Sequence, residues 1–129
     1  MYKRIDFKVR DNYGGKLIAL EQMKEIPFDI KRIYYLFGND GEIRRGFHAH
    51  KKLQQMFICM SGSCKMLLDD GKNKETVVFD SNCYGVLLEG VVWREIFDFS
   101  GDCVLMVVAD EYYDEADYIR DYGEFLRIF

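Results

Sequence analysis

The sequence has little histidine or proline, and it lacks the marks of several broad protein classes. No segment approaches the roughly 18 apolar residues of a membrane-spanning helix, and the start, MYKRIDFKVRDNYGG, has no apolar signal-peptide core. None of the four cysteines forms a CxxC pair, so the spacing of a zinc site is missing. The net charge of -4 disfavours a nucleic-acid polymer as a partner. We expect a cytoplasmic protein with neither a membrane nor a nucleic-acid partner.

The residues that are present predict one mainly β domain over residues 1–129. Hydrophobic residues make up 49% of the chain, which is enough for one buried core. Segments rich in β-branched and aromatic residues recur about every 8 to 12 residues between turns, as in a sandwich or barrel. The predicted strands are 16–20, 30–37, 44–51, 55–60, 64–68, 75–79, 84–88, 92–97 and 103–108.

The last part of the chain, residues 114–127, has a different pattern. Apolar side chains recur there at helical intervals, and the remaining residues are mostly charged. The apolar positions are Tyr118, Ile119, Tyr122, Phe125 and Leu126. This pattern predicts one amphipathic C-terminal helix packed on a barrel of nine or so strands.

The only two histidines are His48 and His50, and a single residue separates them. In a strand, residues i and i+2 point to the same face, so both imidazoles share a face about 7 Å apart. Two imidazoles on an inner face suit metal binding or proton transfer. The alternative is a pair of surface histidines with no role, which the adjacent basic residues make less favoured.

The histidine pair resembles the first motif of the cupin superfamily. In that motif HxH is followed by Glu and then by Gly, and here Gln55 and Gly62 follow the pair at the matching spacing. The resemblance implies a cupin fold, a double-stranded β-helix jelly-roll barrel, with one C-terminal helix added.

The metal-binding part of the cupin pattern is absent. Gln55 stands in the place of the Glu ligand, and the second motif has no histidine, with Trp93 and Arg94 at the ligand's place. Two neutral imidazoles make a weak divalent-metal site, and a cationic Arg94 opposes a metal further. We therefore expect no metal, which leaves the histidines available as acid and base near neutral pH.

A narrower resemblance covers nearly the whole chain. Four segments, in order, look like those of the sugar-nucleotide 3,4-ketoisomerases, namely 26–35, 45–53, 93–95 and 112–120. Members of that family move the ketone of dTDP-4-keto-6-deoxy-D-glucose from C4 to C3, ahead of an aminotransferase that makes a 3-amino sugar for surface glycans. The resemblance implies a dTDP-linked 4-keto-6-deoxyhexose as substrate, no cofactor and a cytoplasmic homodimer.

The isomerisation removes the C3 proton, passes through an enediolate and returns a proton at C4. We expect His48 to take the C3 proton, as the family pattern also implies, and His50 to donate or shuttle a proton. Tyr35 or Tyr34 can hydrogen-bond a substrate hydroxyl or the oxyanion. Adjacent strand residues face opposite ways, so only one of them faces the site, and the alternation does not say which.

Basic residues near the same strand are candidates for the diphosphate. Arg32 and Arg45 suit this role best and Lys51 less well, the alternative for each being a solvated surface charge. We also expect Trp93 and Arg94 to line the substrate site.

Two positions bear on the stereochemistry of the product. The family members that give a 3-keto-gluco product carry Tyr in the first turn and Arg after the Trp, and this chain has Tyr13 and Arg94 there. We therefore predict dTDP-3-keto-6-deoxy-D-glucose. The alternatives are the 3-keto-galacto product, a 3,5-epimerase of the same nucleotide sugar, and a non-catalytic cupin that senses a sugar or a metal.

Overall fold

Two five-stranded antiparallel sheets pack against each other and enclose an apolar interior. The computed structural model describes residues 1–129, with the side chain of Asn12 excepted. The strands are β1 (Tyr2–Asp6), β2 (Arg10–Asn12), β3 (Gly15–Leu17), β4 (Arg32–Leu36), β5 (Arg45–His50), β6 (Gln55–Ser61), β7 (Cys64–Asp69), β8 (Lys74–Phe79), β9 (Tyr84–Leu88), β10 (Trp93–Phe97), β11 (Val104–Ala109) and β12 (Tyr118–Ile119). A 3-10 helix (Glu115–Asp117) precedes β12, and helix α1 (Tyr122–Leu126) follows it.

The strand order within the sheets is that of a jelly-roll rather than of successive hairpins. One sheet has the order β1-β9-β6-β11-β4, and the other has the order β12-β5-β10-β7-β8. Strands β2 and β3 form a separate two-stranded hairpin. The mainly β fold expected from the strand spacing is confirmed, and so is the cupin-like fold that the resemblance implies.

Strand β6 shows how the sequence of the first sheet follows from its surroundings. Phe57 and Cys59 face the core between the sheets, whereas Met56 and Ile58 face outward. Both sets are buried, because the segment between β1 and β4 folds over the outer face and packs Ile26 there. A strand buried on both faces needs a continuous apolar run, which accounts for the sequence QMFICM.

The predicted C-terminal helix is present, but its predicted bounds, residues 114–127, are wrong. Tyr118 and Ile119 form a strand that pairs antiparallel with β5, and only Tyr122–Leu126 is α-helical. Asp114 caps the 3-10 helix and Asp121 caps α1, each by accepting a backbone N–H. The backbone of residues 118 and 119 forms its hydrogen bonds with the edge of β5, so no helix runs through these residues.

The remaining differences lie near the N-terminus. Strands β1 and β2 were not predicted, and β3 covers Gly15–Leu17 rather than 16–20. The other eight predicted strands are present with ends within about two residues of the expected positions, the usual uncertainty of element boundaries. No helix among the described residues is long and apolar enough to cross a membrane.

Candidate active site

His48 and His50 lie on the inner face of β5. Their ring centroids are 4.9 Å apart with the planes nearly perpendicular. The ring of Tyr118, on the neighbouring strand β12, lies 4.9 Å from His48 and 4.3 Å from His50. His50 is buried and His48 is half-buried. The strand alternation thus brings the two imidazoles together as the HxH spacing predicts.

A β-bulge in β5 orients His48. In the register with β10, Arg94 lies opposite His48 and Glu95 lies opposite Gly46, so Phe47 has no partner residue. Gly46 has φ +99°, and a Cβ there would lie 2.9 Å from the carbonyl oxygen of Arg94. Glycine is therefore required at this position. The bulge also leaves the Gly46 carbonyl free to lie 2.9 Å from His48 Nδ1.

Hydrogen bonds orient both rings. The partner of His48 Nδ1 is the Gly46 carbonyl, which can only accept, so Nδ1 carries the proton and Nε2 keeps its lone pair. The partner of His50 Nδ1 is a carboxylate oxygen of Asp117, at 3.0 Å. His50 Nε2 is buried without a hydrogen-bond partner among the described residues.

Both imidazoles are held in the neutral form. Burial first, and then the positive charge of Arg94, lower the pKa of His48 to about 4 and the pKa of His50 to about 2. Desolvation penalises the charged imidazolium, and a nearby cation penalises it further. At pH 7 the two side chains are therefore proton acceptors.

Arg94 is a buried cation beneath the histidines. Its side chain is 2% exposed, and it donates to the side-chain oxygen of Gln55 and to the Val92 carbonyl. Burial lowers the pKa of Arg94 to about 10, so it stays charged at neutral pH. Among the residues that the structure describes, no carboxylate forms an ion pair with it. The site thus has a positive charge that no acidic side chain contacts directly.

Gln55 connects that cation to Tyr34. Its oxygen accepts from Arg94, and its Nε2 donates to the Tyr34 hydroxyl oxygen at 3.0 Å. An arginine on one side and a phenol on the other fix the orientation of the amide. Because the Tyr34 oxygen already accepts a hydrogen bond, its own proton is free to be donated into the site.

The structure places Tyr35, one of the two candidate tyrosines, away from the histidines. Tyr34 lies on the inner face of β4, so strand alternation puts Tyr35 on the outer face, where it is 60% exposed and packs against Phe37. Of the two tyrosines that the sequence left as alternatives, Tyr34 is the one beside the histidines.

A cavity of about 420 Å³ opens over His48. Its lining residues are Arg32, Tyr34, Leu36, Arg45, Gly46, His48, Ile96, Tyr113, Tyr118 and Arg120. Arg45 donates to the side chain of Asn39, Arg120 pairs with Glu115, and Arg32 Nε is buried without a partner among the described residues. Arg32 and Arg45 thus place positive charge on the wall of the cavity.

Besides Tyr35, five predicted site residues do not line this cavity. His50 lines a neighbouring cavity of about 180 Å³ together with Arg32 and Tyr118, and Arg94 is buried behind His48. Trp93 is buried on the opposite face of β10 from Arg94, where it packs against Phe125 and donates to Glu95, so its assignment to the substrate site is wrong. Lys51 is exposed just beyond the end of β5. Tyr13 is fully exposed at the tip of the β2–β3 hairpin.

The residue types at the site do not favour a metal. Among the described residues, no group of three or more His, Cys, Asp or Glu side chains is arranged to hold a metal ion. The place next to the histidines is taken by the Arg94 guanidinium, which would repel a cation.

The family model described as WxcM-like, C-terminal matches residues 2–129, nearly the entire chain. The chain belongs to this family. It is 51% identical over 125 residues to a TDP-4-oxo-6-deoxy-α-D-glucose 3,4-oxoisomerase of Aneurinibacillus thermoaerophilus, covering 97% of this chain and 90% of the relative.

Solved structures of 3,4-ketoisomerases have the same fold. A histidine-to-asparagine mutant from Thermoanaerobacterium thermosaccharolyticum, in complex with TDP-4-keto-6-deoxyglucose, matches at TM-score 0.95 and 42% identity, covering 98% of this chain and 92% of that one. A TDP-quinovose 3,4-ketoisomerase from Campylobacter jejuni matches at TM-score 0.93 and 46% identity, and the match covers 98% of this chain and 97% of that one. A TDP-fucose 3,4-ketoisomerase from the same organism matches at TM-score 0.93 and 34% identity, and the match covers 98% of this chain and 94% of that one.

The segment before and within β12 contributes site residues that the sequence did not single out. Asp117 contacts His50, Tyr118 packs on both imidazoles, and Arg120 lines the cavity while pairing with Glu115. All of them lie in the region predicted as a helix. The signal that could have found them is the similarity of residues 112–120 to the family, which marked the segment but not the role of its residues.

Proposed function

We propose that this chain is a 3,4-ketoisomerase that converts dTDP-4-keto-6-deoxy-D-glucose to its 3-keto isomer. The observation that carries the proposal is a pair of neutral imidazoles, each with Nδ1 hydrogen-bonded, beside a buried cation and a cavity with arginines at its rim. This arrangement supplies a base, a proton carrier and stabilisation of an oxyanion, which are the three needs of the reaction.

His48 is the base that removes the C3 proton. Its Nε2 accepts the proton and the C3–H electron pair forms the C3–C4 double bond, while the C4 carbonyl oxygen becomes the enediolate oxygen. Burial and the positive charge of Arg94 lower the pKa of His48 and so hold it neutral before the reaction, and the same charge stabilises the negative charge that develops during it. His48 then returns its proton to C4.

His50 moves the second proton. The 3-hydroxyl must lose its proton as C3 becomes the ketone, and the C4 oxygen must gain one. A neutral His50 with a free Nε2 accepts before it donates, so the proton passes from the C3 oxygen to His50 and then to the C4 oxygen. The two transfers together account for both protons that move.

Tyr34 donates a hydrogen bond from its hydroxyl group to the developing oxyanion and keeps its proton. Gln55 holds the phenol oxygen from behind, so the donor is oriented before the substrate arrives. Arg32 and Arg45 bind the diphosphate from the cavity rim, where planar guanidinium groups can each make two parallel hydrogen bonds to phosphate oxygens.

We further propose the 3-keto-gluco product and a homodimer. Arg94 and Tyr13 match the gluco type, and identity is higher to the TDP-quinovose ketoisomerase than to the TDP-fucose enzyme, 46% against 34%. Tyr13 is fully exposed and does not line the cavity over His48, so we assign it to the site of a second copy. The exposed apolar side chains Ile33, Tyr35 and Phe37 on and next to edge strand β4 support such a dimer.

The test is to follow dTDP-4-keto-6-deoxy-D-glucose by NMR during incubation with the protein in D₂O. We expect a 3-ketone, with C4 in the gluco configuration and deuterium at C4 wherever His48 exchanges its proton with solvent before returning it. Deuterium at C5 without ketone migration would indicate a 3,5-epimerase, and an unchanged sugar would indicate a non-catalytic binding protein. The galacto configuration at C4 would overturn the stereochemical proposal alone.

Two variants separate catalysis from folding. His48→Asn removes the base and should abolish turnover while the protein still folds. Tyr35→Phe alters an outer-face residue and should leave turnover unchanged. Light scattering at several protein concentrations measures the oligomeric state, and a monomer at all of them would refute the dimer.

A further inference from the structure

Asp117 is held by four hydrogen bonds at the edge of the site, one of which its own backbone N–H donates to the Asp114 carbonyl at 3.1 Å. One carboxylate oxygen lies 3.0 Å from His50 Nδ1, and the other accepts the Lys52 backbone N–H at 2.9 Å. Its backbone carbonyl accepts the Lys51 N–H at 2.9 Å. Tyr118, the next residue, pairs with His50 across the β5–β12 ladder. These contacts leave the carboxylate with little freedom to move away from the imidazole.

The contact decides where the His50 proton lies. An ionised carboxylate has no hydrogen to donate, so the neutral imidazole must carry its proton on Nδ1. The Nε2 atom then has a free lone pair, and it is the ring nitrogen that is buried without a partner in the described part of the chain. An unpaired buried acceptor is unfavourable, and it is typical of a group that a substrate completes.

We propose that Asp117 is a positioning residue that keeps His50 in the Nδ1–H tautomer, so that Nε2 can accept the proton of the substrate hydroxyl. This inference rests on the proposed ketoisomerase function. It follows that the tautomers of the two histidines are set by different kinds of group. The tautomer of His48 is set by a backbone carbonyl, which no side-chain substitution removes, whereas that of His50 depends on one side chain.

Asparagine at position 117 reverses the tautomer. The side chain of Asp117 faces two N–H groups, those of Lys52 and His50, and an amide has only one oxygen for them. The backbone N–H of Lys52 cannot lose its proton, but an imidazole can move its own. The favourable arrangement therefore puts the amide oxygen on Lys52 and the amide NH₂ on His50 Nδ1, which must then accept. The His50 proton moves to Nε2.

The test is ¹⁵N NMR of protein labelled at histidine, together with steady-state kinetics. Only two imidazoles are present, so four ring-nitrogen signals describe the whole set, and His48→Asn assigns them. In the wild type we expect both Nε2 atoms to be unprotonated. In Asp117→Asn we expect the His50 signals to show Nδ1 unprotonated and Nε2 protonated, while the His48 signals stay as in the wild type. We expect kcat to be reduced about 10²- to 10⁴-fold and KM to change little.

The matched control is Asp121→Asn, which makes the same chemical change at a helix cap that Asn also serves well. It should leave both tautomers and kcat unchanged. Unchanged His50 tautomer and kcat in Asp117→Asn would show that Asp117 only supports the backbone, and would overturn the proposal. So would a wild-type spectrum with His50 protonated on Nε2, a result that does not depend on the variant folding. The spectra need no substrate, so they stand even if the ketoisomerase assignment fails.

Discussion

Two imidazoles held neutral should make the folded protein sensitive to acid, and His48 allows the effect to be measured. Burial and the charge of Arg94 lower its folded-state pKa to about 4, whereas an imidazole in the unfolded chain has a pKa of about 6.5. The unfolded state therefore binds more protons than the folded state between these two values. The contribution to stability is fully present above pH 6.5, falls as the pH falls, and is fully lost near pH 4.

The size of the effect follows from the same two values. The interval from 6.5 to about 4, at about 1.36 kcal/mol per pKa unit, corresponds to a loss of about 3 kcal/mol from His48. The pKa of His50 is lowered in the same direction, so its contribution has the same sign. A domain of this size is stable by about 5–15 kcal/mol in total, so His48 alone removes a considerable share of it.

The assay is urea-induced unfolding, followed by circular dichroism at fixed protein concentration and ionic strength, from about pH 7.5 to about pH 4. Carboxylates titrate over the same range, so wild type is compared with His48→Asn, in which the carboxylates remain and their effect largely cancels. Between about pH 7.5 and about pH 4, the free energy of unfolding of the variant should fall by about 2–3 kcal/mol less than that of the wild type. Parallel pH profiles for the two proteins would refute the claim that the fold holds His48 neutral.

Three further predictions test the site and its support. Tyr34→Phe should lower kcat about 10- to 100-fold in steady-state assays because it removes an oriented donor, and an unchanged kcat would contradict that role. The value of kcat/KM should stay constant from about pH 8 to about pH 5 and fall by half near the His48 pKa of about 4, because the base is lost on protonation; a midpoint near 6.5 would exclude the lowered pKa. Phe125 is fully buried against Trp93, so its replacement by alanine should lower the free energy of unfolding, measured in urea, by about 3–5 kcal/mol. A decrease below about 1 kcal/mol would mean that α1 does not support the sheet.

Most of the barrel could be predicted because its strands are locally marked. Turn residues separate short β-forming segments, and the strand Tyr84–Leu88 has the predicted ends. Strand β1 carries no such mark, since its sequence YKRID has three charged residues and its pattern is largely exposed. It is a strand because the edge of β9 pairs with it along its full length. A strand that exists through its partner cannot be recognised from its own composition.

The C-terminal segment shows the same limitation with a larger consequence. Tyr118, Ile119, Tyr122 and Phe125 fit a helical period, but the open edge of β5 binds the first two as a strand. This pairing brings His50 into contact with Asp117, which lies 67 residues later in the chain. The periodicity correctly indicated buried positions, because Ile119 and Phe125 are buried, and wrongly indicated the backbone conformation. The error concealed Asp117, because nothing in a helix prediction brings that carboxylate to a histidine.

At the site itself, the sequence determines which side chains share a face of a strand, but not which face is turned to the inside of the barrel. The period of two places His48 and His50 on one face, and it also says that Tyr34 and Tyr35 diverge, as do Trp93 and Arg94. Which member of each pair faces inward depends on how β4 and β10 sit in their sheets. Composition is misleading here, because Arg94 is buried inside the barrel and apolar Tyr35 lies outside. A buried arginine that forms no ion pair with a described carboxylate is costly to fold around. Under the proposed mechanism this cation stabilises the enediolate, so the buried arginine marks the place where we expect the chemistry to occur.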